Sequence, residues 1–184
     1  MVTSVEEIEE IHGLFDQVKG QLVDQGYDTV EDLPVGAMIE VPSALLEIDR
    51  ILEVVDFVSV GTNDLVQYLL AVDRDSAWVS GLYDPQHPAI LRALASIARS
   101  AGAAGKPASV CGEIAGDPTT VILLLGMGYD GVSVAPQFLP EIKYAVRRTP
   151  GSQAQEWAAQ VAEMGRSRLV RKLLEGMRNQ LDGA

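Results

Sequence analysis

Residues 55–75 read VDFVSVGTNDLVQYLLAVDRD. The run DFVSVGTND (56–64) is apolar until Gly61, then turns polar at Thr62-Asn63-Asp64, and residues 65–72 carry a helical pattern. An apolar run this short, without polar alternation, reads as a buried strand. The same unit recurs along the chain. VGAMIEV (35–41) ends at Glu40, and 43–53 follow as a helix with Ala44, Leu45, Ile48, Ile51 and Leu52 on one face. ASVCGEI (108–114) is a third strand. Asp117-Pro118 then reads as N-cap and first turn of a helix that Gly126 and Gly128 end. GVSVAP (131–136) is a fourth strand, with a helix beginning near Pro140.

Working outward, Ser4 and Glu7 have capping-box spacing, and Val5, Ile8, Ile11, Phe15, Val18 and Leu22 repeat at helical spacing up to a stop at Gly26. A loop spans 73–88. Pro88 opens another helix, with Ile90, Leu91, Leu94, Ile97 and Ala98 on its apolar face and its end in the Gly102–Gly105 region. Thr149-Pro150-Gly151 is a break, and about 152–181 read as helical, as extra C-terminal helices with a basic outer face. Strands alternating with helices imply a parallel sheet covered by helices. Small or polar residues at every strand end suit a (β/α) barrel, whose chemistry sits at that end. Such a barrel takes eight strands and typically ~250 residues. Four strands leave two readings: an open sheet, or about half of a barrel.

Composition narrows the function classes. The chain has 184 residues and a net charge of −12, which disfavours a nucleic-acid or anionic-membrane surface. The charge is uneven: 147–184 hold seven Lys/Arg against four acids, and 1–146 carry about −15. One cysteine, Cys111, rules out an internal disulfide and fits a reducing, cytoplasmic compartment. No apolar run reaches the roughly 18 residues of a membrane span, and the acidic N-terminus lacks a signal-peptide core.

The candidate chemistry lies at the strand ends. Glu40 and Asp64, with Asn63 beside them, make an oxygen-only set of the kind magnesium takes. The competing reading is a polar strand end with Asp64 as a helix N-cap. Arg74 suits a phosphate or carboxylate, or a surface ion pair with Asp73 or Asp75. Cys111 reads as core filling or, beside Gly112 and Glu113, as a reactive thiol. His12 and His87 have no partner at zinc spacing and read as structural or surface residues. Trp78 and Tyr83 bracket the long loop, as packing or as a lid. Phosphate-loop and serine-hydrolase motifs are missing from the sequence.

PVGAMIEVP, VDFVSVGTNDLVQYLLAVDRD, LYDPQHPAIL, SVCGEIAGDP and LLLGMGYDGVSV together resemble the phosphoenolpyruvate-utilising enzymes. Within that family they are most similar to enzyme I, the phosphoenolpyruvate–protein phosphotransferase of the sugar and nitrogen phosphotransferase systems. The resemblance implies a phosphoenolpyruvate- and pyruvate-binding (β/α)8 barrel of which this chain is the C-terminal half, over 1–148, with a helical extension over 149–184. It implies magnesium held by Glu40 and Asp64, phosphate contacts from Asn63, Asp64 and Arg74, and Cys111 as the acid that protonates the enolate carbon. It also implies phosphoryl transfer to a histidine on a domain absent here, and then to a histidine-containing phosphocarrier protein. The chain is thus expected to be a fragment, inactive alone, and prone to homo-oligomerise through its free sheet edges. Two alternatives stay open. A pyruvate phosphate dikinase or phosphoenolpyruvate synthase fragment shares these signatures, although Ile114-Ala115-Gly116-Asp117 is closer to enzyme I. A non-catalytic dimerisation or regulatory module is the other.

Overall fold

The computed structural model describes residues 1–74 and 76–182. Strands β1 (Gly36–Ile39), β2 (Phe57–Gly61), β3 (Ala108–Cys111) and β4 (Gly131–Ser133) form one parallel sheet in the order β1-β2-β3-β4. This order decides between the two sheet readings. A doubly wound sheet reverses strand order at a switch point and carries helices on both faces. Here each strand pairs with the next in the chain. Right-handed crossovers then put every connecting helix on the same face. That is the winding of a (β/α) barrel, and the fold is an α/β partial barrel with four of its strands.

Helices α1 (Val5–Asp24), α2 (Pro42–Leu46), α3 (Ile48–Val54), α4 (Thr62–Leu70), α5 (Pro88–Ala104), α6 (Pro118–Met127) and α7 (Leu139–Arg148) make the covering layer. α8 (Gly151–Ala162) packs on α5 and α6, and α9 (Ser167–Asp182) also touches α6. The core lies between sheet and helices. Ala37, Ile39, Val58, Val60, Ala108 and Val110 point into it and are at most 5% exposed. Trp157, Val161, Val170, Leu174 and Met177 of the last two helices join the same core. The strands are therefore buried on one face only, not on both as their apolar runs suggest. On the open face Met38 and Phe57 are 41% and 39% exposed.

Several boundaries move, each for a local reason. The helix read over 43–53 divides at Glu47, whose φ and ψ of −94° and 13° lie off the helical values. The helical segment read over 152–181 forms two helices, as expected, with a turn at 163–166. A straight helix of that length would run about 45 Å and carry Val170 and Met177 past the core. Gly126 does not end α6; it lies inside, because a Cβ there would collide with the Ala154 carbonyl of α8. Gly128 is the C-cap, at φ 104°. The capping box of α1 forms as read, with Ser4 Oγ accepting from Glu7 N–H at 3.5 Å and Glu7 Oε2 accepting from Ser4 N–H at 3.3 Å. No helix of the described residues is long and apolar enough to cross a membrane.

Candidate functional site

The C-terminal ends of β1, β2 and β3 lie side by side, and the groups singled out in the sequence follow them. Parallel pairing sets Ile39 beside Val60 and Gly61 beside Cys111. Glu40 follows β1 directly. Its side chain is 14% exposed and folds over Gly61, where a Cβ would meet Glu40 Oε2 at 2.8 Å. The amino-terminal ammonium stands 3.9 Å from Glu40 Oε1.

Helix α4 starts at Thr62, three residues before the sequence pattern suggests. The reading of Asp64 as an N-cap is wrong. Gly61 holds that position with no side-chain cap, and Asp64 sits within the first turn. There its negative charge is favoured by the helix dipole. Two hydrogen bonds lock this corner to the end of β3. Thr62 Oγ1 donates to the Cys111 carbonyl at 2.7 Å, and Asn63 Oδ1 accepts from the Glu113 N–H at 2.9 Å. The second bond is possible because the chain turns at Gly112, with φ at 105°. A Cβ at Gly112 would overlap Thr62 Oγ1 and come within 2.8 Å of Asn63 Oδ1. Consequently β3 stops at Cys111, and Glu113–Gly116 form a 3-10 turn where the apolar pattern suggested more strand.

Cys111 lies on the open face of the sheet, not among the aliphatic side chains beneath the helices. Its Sγ is half-buried, 3.4 Å from the Val60 carbonyl and 3.9 Å from Ser59 Oγ. Asn63, Arg74, Ser80, Tyr83 and Glu113 line a cleft of about 530 Å³ beside this corner. Tyr83 Oη donates to the Asn63 carbonyl at 3.4 Å. Burial, and then the negative charges of Glu113 and Asp64, push the Tyr83 phenol above its usual range, while Arg74 pulls it down. Asp64, Arg74 and Glu113 thus each lie within electrostatic reach of the Tyr83 phenol. The arrangement offers a fixed cation, amide and hydroxyl donors and a neighbouring carboxylate at one strand-end mouth.

Of the sequence candidates, Asn63 and Arg74 meet in the cleft wall. Glu40, Asp64 and Cys111 flank the same strand ends without lining it. The Arg74–Asp75 pairing falls outside the described residues. Glu113 and Tyr83 also line the cleft; the sequence reading had Glu113 at a polar strand end and Tyr83 in the long loop as packing or a lid, and gave neither a binding role. The LYDP turn that carries Tyr83 was the available signal. Trp78 packs against nothing, being 96% exposed. His87 is structural: its Nδ1 accepts from Ala89 N–H at 3.2 Å and caps α5. His12 stands on α1, its Nε2 buried without a hydrogen-bond partner. Among the described residues no three His, Cys, Asp or Glu gather as a metal cage. Two carboxylates nonetheless suit magnesium, which keeps waters and takes its remaining oxygens from a phosphorylated substrate.

Comparison with known proteins gives this geometry a family. Residues 1–150 match the model of the PEP-utilising enzyme, PEP-binding domain. The chain is 42% identical over 164 residues to the phosphoenolpyruvate-dependent phosphotransferase system protein of Escherichia coli, covering 89% of this chain and 22% of that one. It is 42% identical over 147 residues to the phosphoenolpyruvate-protein phosphotransferase of Haemophilus influenzae, covering 80% and 26%. With the same-named protein of Staphylococcus carnosus it shares 36% over 175 residues, covering 95% and 30%. The chain thus spans about a quarter of the length of the curated relatives it matches. A crystal structure of a citrate lyase from Burkholderia xenovorans superposes with a TM-score of 0.58 at 20% identity, covering all of this chain and 62% of that one; this likeness bears on the fold alone. By its match over residues 1–150, the chain belongs to the PEP-utilising enzymes and carries part of their PEP-binding domain.

Proposed function

We propose that this chain supplies the phosphate-gripping and proton-donating side of a phosphoenolpyruvate–protein phosphotransferase. The observation that carries the reading is the convergence of Asn63 and Arg74 on one cleft, beside Glu40, Asp64 and Cys111 at adjacent strand ends. Arg74 and the Asn63 amide hold the phosphoryl oxygens of phosphoenolpyruvate. Glu40 and Asp64 hold magnesium, which when bound neutralises charge on those oxygens. The bond from phosphorus to the enol oxygen breaks, and its electron pair stays on that oxygen. The phosphoryl group is accepted by an imidazole nitrogen on a domain outside this chain, and then passes to a histidine-containing phosphocarrier protein. The remaining enolate takes a proton at its methylene carbon from the Cys111 thiol, giving pyruvate and a thiolate. The open-face position of Cys111 favours this role over packing. The protein acts in the cytoplasm, in a sugar or nitrogen phosphotransferase system, and the isolated chain does not turn over.

Manganese titration followed by water-proton relaxation tests the site without turnover. The chain should bind the ion, with a further change on adding phosphoenolpyruvate. Asp64→Ala should lose ion binding. Arg74→Ala should keep it and weaken phosphoenolpyruvate about 10- to 100-fold, the worth of a hydrogen bond to a charged group. Equal ion binding by the native chain and Asp64→Ala overturns the metal assignment. In an enzyme that also carries the phosphohistidine domain, Cys111→Ser should keep substrate binding and lose turnover.

A further inference from the structure

Asp117 stands four residues beyond Glu113 and closes the turn that follows β3. It is the N-cap of α6, and its Oδ2 accepts from the Thr120 N–H at 3.0 Å and from Thr119 Oγ1 at 2.8 Å. Thr120 Oγ1 donates to the same oxygen at 2.5 Å. Both threonines are sealed, at most 1% exposed, so their hydroxyls depend on this carboxylate. Gln86, three residues beyond Tyr83, enters from the long loop. Its Nε2 donates to Thr120 Oγ1 at 3.2 Å and reaches Asp117 Oδ2 at 3.5 Å, while its N–H donates to Asp84 Oδ1 at 3.0 Å. The two segments that carry Tyr83 and Glu113 into the cleft wall are therefore tied to each other through Asp117. Glu113 also borders a second cavity, of about 550 Å³, which Asp117 and Arg178 line as well.

The other oxygen of Asp117 is held by α9, which lies beyond the residues 1–150 matched to the family. Arg178 Nη2 donates to Asp117 Oδ1 at 3.0 Å. Met177, the residue before it, is 1% exposed in the core, so α9 cannot swing Arg178 away without unpacking. The Arg178 side chain is 61% exposed, and an ion pair this exposed adds little to folding stability. What it adds is direction. With the cap and both threonines on Oδ2 and Arg178 on Oδ1, the carboxylate has one orientation that serves every donor.

We propose that Gln86 and Arg178 are positioning residues for the strand-end cleft, holding its Tyr83 and Glu113 walls in register through Asp117. α9 then sets how closely those walls meet a phosphorylated substrate, a consequence that rests on the phosphoenolpyruvate reading of the cleft. The mechanical link does not rest on it.

Two measurements on the whole chain separate the link from the ligand. Amide exchange reads the link. Arg178→Glu, which sets a second carboxylate against Asp117, and Gln86→Ala should each speed exchange at Glu113 and Tyr83 about tenfold. The amides of 58–60 should keep their rates, which a general loss of stability would not spare. Arg178→Lys, which retains the charge, should return exchange close to native. Manganese relaxation reads the ligand. Arg178→Glu and Gln86→Ala should both keep native manganese binding and weaken phosphoenolpyruvate about 3- to 10-fold. Combined, they should weaken it by less than the product of the two, since both act through one carboxylate. Unchanged exchange at Glu113 and Tyr83 overturns the proposal. So does exchange that rises equally at 58–60, or a native phosphoenolpyruvate response that the variants keep in full. If the native chain gives no such response while exchange at the two walls still accelerates in the variants, the ligand reading fails and the positioning role stands.

Discussion

The two faces of the sheet share four strands and differ in almost everything else. The helix side is aliphatic and sealed: Ile39, Val58, Val60 and Val110 are fully buried. The open side, in register across the sheet, carries Met38, Ser59 and Ser109 in one row, and Gly61, Cys111 and Ser133 in the next. Hydrophobic burial against helices fixes the fold on the first side. The second carries small and polar groups beside Met38 and Phe57, and no helix of the described residues covers it. The candidate site residues lie at the ends of the open rows, away from the sealed core.

The largest expected effect separates the faces directly. Leu123 of α6 is fully buried, and Leu123→Ala should cost about 2–5 kcal/mol, from lost transfer energy and the cavity left behind. Met38→Ala, on the open face, should cost under about 1 kcal/mol in the same urea titration at low protein concentration. Comparable losses would mean that the open face is already covered.

Glycines sharpen the contrast at the level of the site. Gly112→Ala forces a Cβ into Thr62 and Asn63 at a left-handed φ, and should cost about 1–3 kcal/mol. It should also abolish the manganese and phosphoenolpyruvate response, because the Asn63–Glu113 bond cannot survive. Gly102→Ala, within α5 and facing open space, should instead stabilise by about 0.5–1 kcal/mol. If Gly112→Ala keeps the ligand response, the corner is not what shapes the cleft.

Legibility in the sequence follows the same division. The four strands, the α1 capping box, the Asp117 cap and the Pro88 helix start are all present and rest on local rules. The strand-end clustering of Glu40, Asn63, Asp64 and Cys111 was legible because parallel strands deliver their ends to one mouth. What failed was non-local. Whether an apolar strand is covered on one face or two depends on what packs there, and DFVSV reads alike in both cases. The turn between α8 and α9 is set by the core they must both reach. Tyr83 and Glu113 enter the cleft through a 3-10 turn and a left-handed glycine, features whose consequences appear only once β2 and β3 are paired.

The smallest expected effect is electrostatic and tests whether the cleft residues meet. Burial raises two phenols above their usual range, and only one of them also feels neighbouring charges. Tyr129 is sealed on the helix side, its hydroxyl donating to the Leu94 carbonyl at 2.9 Å, and burial alone raises it. Tyr83, in the cleft, is raised by burial first and by Glu113 second, against the pull of Arg74. Both shifts favour the neutral phenol in the folded state. Their stabilisation is therefore complete below the unfolded value near 10 and is lost as pH rises through the folded values. Stability should fall above about pH 10, and Tyr129→Phe should remove most of that slope. Tyr83 contributes less to it but reports more. In tyrosinate absorbance titrations, with Tyr83→Phe subtracted to isolate its signal, Glu113→Gln should lower the Tyr83 value and Arg74→Ala should raise it. Opposite responses from residues thirty-nine positions apart in sequence require them to face one phenol. If neither variant moves Tyr83, Arg74 and Glu113 do not share the cleft, and the phosphate-binding role of Arg74 fails with it.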